Sequence, residues 1–258
     1  MIRDKSIVYG GLILYKAVAE LKAEAARTYL SFLWWVLEPL MTMAIFYLVF
    51  GLFLQSGRKD FVPFLLIGLI FWNGFSNTVL HGASALLDNG PLMLQTYIPK
   101  WVFPLIVVVM DGIKFALVFV LLLLYLWLYG FRPTWSYLAL IPLLGIWMTW
   151  TVAATLLAAA LVPFLPDLRL LIASLLQLMF FASGVFFAAD AIPESYRAWF
   201  YANPMAALIT AFRAVLMEGT WPMWSNLWPV VLESGGLLVV AVLMLWRWDR
   251  LYPKLIGG

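Results

Sequence analysis

Charged residues are scarce in this sequence: Asp, Glu, Lys and Arg make up only 11% of its 258 residues, whereas 65% of the residues are hydrophobic. Soluble domains carry about 25% charged residues, so this composition excludes an ordinary water-soluble fold. Apolar runs of membrane-spanning length recur almost from end to end. The sequence therefore predicts one polytopic membrane domain over residues 1–258, without a soluble domain attached.

Several chemical groups are also missing or rare. Cysteine is absent, which excludes disulfides, thiolate nucleophiles and thiolate metal sites. His81 is the only histidine and has no carboxylate cluster beside it in the sequence, so we predict neither a metal site nor a catalytic site. No GxxxxGK(S/T) loop occurs, so the chain itself is not expected to bind the phosphates of ATP. Any ATP-driven work would need ATP and Mg²⁺ on another polypeptide.

Six apolar segments predict an all-α fold with six transmembrane helices. Continuous runs of this length favour helices, because barrel strands would alternate over about ten residues. The first segment, Phe32–Leu54, carries one charge, Glu38, which lies either at the lipid interface or against a partner helix or an aqueous path. The other five segments are Val62–Leu87, Val102–Tyr129, Tyr137–Leu161, Leu168–Phe187 and Trp228–Trp246.

The segment before the first span, residues 1–31, is charged and amphipathic. A helix over Lys5–Thr28 would put Leu14, Val18, Leu21 and Ala25 on one stripe, with Lys16, Glu20, Glu24 and Arg27 on the far side. This pattern predicts a helix that lies in the membrane interface with its charges toward water. A short soluble helix against a partner protein is the alternative. No cleaved signal is expected, because the first long apolar run starts after thirty residues and exceeds the length of an h-region.

The distribution of Lys and Arg predicts the orientation. Six spans place both ends on one side, together with the loops after the second and fourth spans. That side carries ten basic residues: Arg3, Lys5, Lys16, Lys22, Arg27, Lys100, Arg169, Arg247, Arg250 and Lys254. The other side carries five: Arg58, Lys59, Arg132, Arg197 and Arg213. The positive-inside rule then places both termini, including the tail 247–258, in the cytoplasm.

Polar residues interrupt two of the predicted spans. Asn73, Asn77, His81, Ser84 and Asp88 recur at spacings of three or four, so a helix presents them on one face that should avoid lipid. We expect interhelical hydrogen bonds for Asn73 and Asn77. In the third span, Asp111 and Lys114 are three residues apart and can neutralise each other.

Two loops have helical character. The loop DNGPLMLQTYIPK, residues 88–100, predicts a short cytoplasmic helix capped by Asp88 or Asn89, with Pro91 in its first turn. This helix either lies free at the membrane interface or binds a partner protein. In the segment 188–227, Pro193–Tyr201 and Pro204–Met217 predict two further helices, the second capped by Asn203. Fourteen residues reach only about 21 Å, so these helices are expected to dip in from the outer face and return.

Four stretches together resemble a known family. The runs RTYLSFLWWVLEPL, LLIGLIFWNGFSNTV, PKWVFPL and NPMAALITAFRAVLMEG, in this order, are similar to the permease subunit of bacterial ABC exporters for polysaccharides, the O-antigen and capsule export group of the type-2 exporters. The resemblance covers nearly the whole chain.

The resemblance has several implications. Two permease copies would pair with two separate ATP-binding cassette subunits and move a lipid-linked glycan across the bacterial inner membrane. Residues Pro193–Met217 would form outer gate helices, and Asp88–Tyr97 would contain the coupling helix that contacts the ATPase. The coupling residues are Pro91, Leu92, Met93, Leu94, Gln95, Thr96 and Tyr97.

Aromatic residues make up 17% of the chain and include 14 tryptophans. Sugar rings stack their C–H faces on aromatic rings, so an aromatic lining suits a sliding glycan. An interfacial aromatic belt is the competing interpretation. The candidates for a glycan path and gate are Trp34, Trp35, Tyr47, Phe180, Phe187, Trp199 and Tyr201.

Three other functions stay open at this point, and one of them, a purely structural membrane subunit, has no positive signature in the sequence. A sibling permease that exports teichoic acid or a hydrophobic drug would share the fold. A membrane-embedded glycosyl or acyl transferase belongs to a different class and would need acids, bases or metal ligands converging at one membrane face.

Overall fold

A computed structural model describes residues 2–27, 31–49 and 60–257. Within these residues the regular secondary structure is helical, with short 3₁₀ and π turns and no strand. The α-helices are α1 (Ile2–Arg27), α2 (Ser31–Phe46), α3 (Phe61–Asp88), α4 (Gly90–Gln95), α5 (Val102–Tyr129), α6 (Leu140–Leu161), α7 (Leu168–Ala182), α8 (Glu194–Tyr201), α9 (Pro204–Arg213), α10 (Trp228–Arg247) and α11 (Tyr252–Gly257).

Four helical segments are long and apolar enough to cross a membrane: Phe61–Asp88, Val102–Tyr129, Trp135–Leu161 and Trp224–Arg247. A fifth crossing is possible if the bent pair Glu194–Tyr201 and Pro204–Glu218 counts as one span. Their bounds lie within a few residues of the second, third, fourth and sixth predicted spans. The described part of the chain thus supports a multi-pass, all-helical membrane protein with four to five candidate spans.

The other two predicted spans correspond to shorter helices. Helix α7 has 15 residues, about 22 Å, and ends at Ala182 instead of Phe187. The chain turns there at Gly184, whose φ is +67° and whose Cβ position is occupied by the Phe200 ring. The fifth span was therefore predicted too long, because the aromatic run hides this turn. Helix α2 has 16 residues, and the predicted end of the first span at Leu54 lies outside the described residues.

Helix α3 is the centre of the bundle and packs against α2, α5, α6, α7 and α9. Its Phe71 ring stacks on Phe212 of α9 with centroids 3.6 Å apart, and it also contacts Phe115 of α5 and Trp147 of α6. Small residues let α6 approach closely, because a Cβ on Gly82 would overlap the Thr155 side chain. Helix α10 packs along α6.

Helix α1 forms where the amphipathic pattern predicts a helix. Ile13 and Ala17 are buried against Val102 and Ile106 of α5, and Leu21 is buried as well. Of the predicted stripe, Leu14 is 57% exposed and Val18 is 36% exposed, so its contact with lipid stays a prediction. The side chain of Ala25 lies outside the described residues. Sequence periodicity identifies an apolar helix face without telling whether protein or lipid covers each part of it.

Candidate functional site

The two loops that the resemblance singled out lie at opposite ends of α3. One end, which we call the α4 end, holds α4, the start of α5, the end of α6 and α11, joined by the buried residues Met93, Phe103, Ala160 and Tyr252. The other, the α9 end, holds the start of α3 and the helix pair α8–α9. Helix α3 connects the two ends as one uninterrupted helix of 28 residues.

The short helix α4 packs against the C-terminal segment. A Cβ on Gly90 would lie 2.6 Å from Ile256 of α11, and the Tyr252 hydroxyl donates to the Ala160 carbonyl at 3.1 Å. A cleft of about 590 Å³ lies between residues 93–97 and residues 249–253. Of the α4 side chains, Met93 is buried at 5% exposure, whereas Leu94 is 60% exposed. Only part of the predicted coupling segment therefore presents a surface to a partner.

The remaining predicted coupling residues lie around these two. Pro91 occupies the first turn of α4, as predicted, Leu92 packs on the same buried cluster as Met93, and Gln95, Thr96 and Tyr97 are exposed. Asn89 occupies the N-cap position of α4, as one of the two predicted candidates, but its side chain makes no cap hydrogen bond. Asp88 is the last residue of α3. The Asn89 amide donates to the Ala85 carbonyl at 2.9 Å and accepts from Lys16 of α1 at 2.5 Å, so it ties three helices together instead.

Asp249 organises the loop after α4. Its Oδ1 accepts from the Lys100 backbone N–H at 2.9 Å, and hydrogen bonding to Asp249 raises the pKa of the Tyr97 phenol. The Lys100 side chain is 1% exposed, donates to the Ile98 carbonyl at 2.9 Å and lies over the Tyr97 ring. Burial lowers the pKa of Lys100 from its ordinary value. These contacts fix the loop against the C-terminal segment.

Helices α1, α3 and α5 share a charged network. His81 Nδ1 lies 2.7 Å from Asp111, Asp111 lies 3.6 Å from Lys114 as their spacing predicts, and Lys114 lies 2.7 Å from Glu24. Trp35 of α2 donates to Glu24 at 3.3 Å, and its ring lies beneath the Lys114 ammonium. Glu24, which was expected to face water, keeps 40% of its side chain exposed and also pairs with Lys114, 90 residues away in the chain.

The other intramembrane polar candidates are less connected. Asn73 and Asn77 are half-buried on α3, on the same face as His81. Glu38 lies in α2, and its side chain is outside the described residues. Among the described residues no three His, Asp or Glu side chains converge in the way a metal site requires.

The helix pair α8–α9 forms at nearly the predicted bounds, bent by 102°. Asn203 caps α9 as predicted, since its side chain accepts from the Met205 N–H at 3.0 Å. Arg213, at the end of α9, carries no signal in the sequence beyond being a cation, yet it is only 6% exposed. It donates to the carbonyls of Phe64, Gly184 and Val185 at 2.6–3.1 Å.

The aromatic candidates fall into two groups. Trp34, Tyr47 and Trp199 are exposed at 54%, 40% and 78% and present open surfaces of this chain. Phe180 is only 8% exposed and packs on Trp72, Phe181 and Phe186, so its assignment to an open path is corrected to a core residue. The other three are partly buried: Trp35, which belongs to the charged network, and Phe187 and Tyr201, which both contact Phe200.

Known proteins are similar to this chain over most of its length. An O-antigen export system permease protein RfbA from Myxococcus xanthus is 33% identical over 95% of this chain and 93% of its own length. Another, from Klebsiella pneumoniae, is 29% identical over 78% of each chain. The polysialic acid transport protein KpsM from Escherichia coli is 25% identical over 78% of this chain and 79% of its own. Residues 16–217 match the model of the ABC-2 type transporter membrane family, and the chain belongs to that family.

Proposed function

We propose that this chain is the transmembrane subunit of an ATP-driven exporter that moves a lipid-linked polysaccharide of O-antigen or capsule type out of the cytoplasm. The observation that carries this proposal is the relationship to the M. xanthus permease, which extends over 95% of this chain. The bundle agrees with transport, since it holds a polar, charged network within apolar helices. The chain is a transport subunit and not an enzyme in this proposal.

The export function is tested by removing the chain from its native host. Without it, surface polysaccharide should disappear and lipid-linked glycan should accumulate on the cytoplasmic side, because a hydrated polymer does not cross bare lipid. Immunoblots of surface glycan and extraction of the lipid-linked pool measure both. Unchanged surface glycan, or a lost surface teichoic acid or drug-export phenotype instead, would contradict the polysaccharide assignment.

The proposed assembly contains two copies of this chain and two ATP-binding cassette subunits, which hold ATP and Mg²⁺. The ATPase docks on the exposed side of α4 and the loop to Tyr97. This placement is supported by the exposed Leu94, Gln95, Thr96 and Tyr97 beside the cleft at the α4 end. Conformational change at α4 then reaches the α8–α9 pair, the proposed outer gate, through α3.

Leu94→Asp should weaken binding of the ATPase subunit to this chain while leaving the chain folded. Leu94 is 60% exposed, so the new charge costs little in the free chain but opposes an apolar contact with the ATPase. We expect co-purified ATPase to fall at least about tenfold, with export lost in parallel. Met93→Asp is not an equivalent test, because Met93 is buried. Thr220→Asp, an exposed change at the α9 end, is the control, and full ATPase recovery with Leu94→Asp would remove α4 from the contact.

We further propose six spans in the bacterial inner membrane, with both termini in the cytoplasm and α8–α9 on the outer side. Helices α2 and α7 complete the count, and α1 lies in the inner leaflet with Leu14 and Val18 toward lipid. Reporter fusions at Gly258, Gln55 and Thr220 should give cytoplasmic, outer and outer signals, respectively. An outer signal at Gly258 together with a cytoplasmic signal at Thr220 would overturn the scheme.

A further inference from the structure

A pocket lined by both apolar and polar side chains opens at the α4 end between α1, α3, α5 and the start of α7. Its volume is about 930 Å³, at the upper end of the roughly 300–1,000 Å³ typical of small-molecule sites. Apolar side chains, among them Val107, Met110 and Leu170, form most of its lining, and polar side chains on and beside α1, α3 and α7 complete it. This combination fits a ligand with an apolar face and hydrogen-bonding edges.

Ser84 gives an independent indication of a ligand. It lines the pocket, is 5% exposed, and its hydroxyl has no hydrogen-bond partner among the described residues. Several other helix hydroxyls bond the preceding turn, as Thr78 does to the Gly74 carbonyl at 2.6 Å and Thr151 to the Trp147 carbonyl at 2.9 Å. The Thr155 hydroxyl is also without a partner, but Thr155 packs against Gly82 and does not line the pocket. A buried hydroxyl without a partner is costly, so a ligand group that bonds Ser84 would remove that cost.

His81, one turn earlier on α3, adds a hydrogen-bonding group to the same lining. Its side chain is 51% exposed, and its Nδ1 lies 2.7 Å from the Asp111 carboxylate. Since a carboxylate accepts, Nδ1 carries a proton, and Nε2 accepts when the ring is neutral and donates when the ring is protonated. The Asp111 contact also fixes the orientation of the ring. Because a hydroxyl both donates and accepts, Nε2 of His81 can bond a sugar hydroxyl in either state.

The charge of the pocket distinguishes between ligand classes. Glu20, Asp88 and Asp167 line it, and Arg169 is the one lysine or arginine among its described lining residues. Glu20 is partly neutralised by Lys16 at 3.5 Å, which leaves Asp88 and Asp167 against Arg169. An anionic phosphate would meet this excess of carboxylates unfavourably, whereas sugar hydroxyls donate to carboxylates readily.

We propose that this pocket binds a neutral, hydroxyl-rich sugar unit of the exported glycan before the glycan crosses the membrane. Asp88 and Asp167 accept from its hydroxyls, and His81 bonds a further hydroxyl through Nε2. Ser84 completes its own hydrogen bonding with the ligand, and the apolar part of the lining contacts a C–H face. The proposal rests on the proposed export function and assigns it a recognition site on the coupling side.

The test uses the full chain in lipid nanodiscs and two photoreactive probes with the same alkyl chain, one bearing glucose and one bearing phosphate. The glucoside should cross-link saturably to residues 80–89 or 166–173 and be competed by maltotriose. Ser84→Ala and Asp167→Asn should each lower this labelling at least about threefold, the effect of losing one modest hydrogen bond. Glu233→Gln, an exposed change on α10, is the matched control and should leave labelling unchanged.

Three results would overturn the proposal: equal labelling of the variants and the control, stronger labelling by the phosphate probe, or labelling that never saturates, which marks binding at excess probe only. Export is measured on the same variants. Glucoside labelling without any export activity of the native chain keeps the site and removes the exporter assignment. Normal export without labelling in the pocket removes the site and keeps the exporter.

Discussion

Replacing Arg213 by alanine should release the α8–α9 pair from α3 and lower the amount of folded protein in the membrane several-fold. The guanidinium donates to three backbone carbonyls from two separate segments, and it stacks on the Phe64 ring at 3.3 Å. Alanine leaves these buried acceptors without these donors, at about 1–3 kcal/mol each when no water replaces the bond. A loss of roughly 3 kcal/mol or more is a large part of the stability of an ordinary domain.

Lysine at position 213 should rescue this loss only in part. The Arg213 fork reaches Gly184 with one nitrogen and Val185 with another, a geometry that a single ammonium does not reproduce. Gly68 permits the approach, because a Cβ there would lie 2.6 Å from Arg213 Nη2. Gly68→Ala should therefore displace the Arg213 guanidinium and weaken its hydrogen bonds to the backbone carbonyls.

The measurement for Arg213 is the thermal midpoint of the detergent-solubilised chain, together with its membrane level. Arg197→Ala is the matched control, because Arg197 is 40% exposed and its contacts, to the Ile192 carbonyl at 3.2 Å and Glu194 at 3.8 Å, are weaker. We expect the control to stay within about 1 kcal/mol of the native chain. A midpoint for Arg213→Ala equal to that of Arg197→Ala would mean that the guanidinium contacts do not hold the pair.

Local sequence pattern predicted most of the helices because their information is local. The runs of α3, α5 and α10 are long, apolar and bounded by polar or turn residues, so their bounds came within a few residues. Asn203 followed by Pro204 predicted the start of α9 for the same reason. The turn at Gly184 was not predicted, because the aromatic residues around it resemble the continuation of a membrane span.

The candidate site was harder to predict, because its contacts join distant parts of the chain. Arg213 and Phe64 are 149 residues apart, and Glu24 and Lys114 are 90 apart. Neither pairing leaves a periodic trace in the sequence. The Asp111–Lys114 pair was predictable because it lies within one helix, whereas the link onward to Glu24 depends on how α1 packs against α5. A charged residue within a predicted membrane span is unusual and indicates a partner in the fold, and Lys114 carries that signal in the sequence.

Replacing Lys114 by methionine should destabilise the chain more than removing Lys114 and Glu24 together. Lys114 is 15% exposed and lies within 3.6 Å of both Asp111 and Glu24, so its loss leaves two carboxylates close together without their cation. Breaking a buried pair from one side costs about 3–5 kcal/mol, and the 40% exposure of Glu24 reduces the expected cost to roughly 2–3 kcal/mol. The double variant carries both Glu24→Gln and Lys114→Met. It should be less destabilised, because Asp111 keeps its contact with His81 at 2.7 Å and the Glu24 charge has been removed.

A double-mutant cycle on thermal midpoints isolates this interaction, with an expected coupling of about 1–3 kcal/mol. Glu20→Gln is the control for an exposed pair on the same helix, because Glu20 meets Lys16 at 3.5 Å with 40% of its side chain exposed. Its effect should stay below about 0.5 kcal/mol. If Lys114→Met alone were no less stable than the double variant, the charge of Lys114 would not be what holds α1 to α5. The attachment would then rest on the apolar contact of Ile13 and Ala17 with Val102 and Ile106.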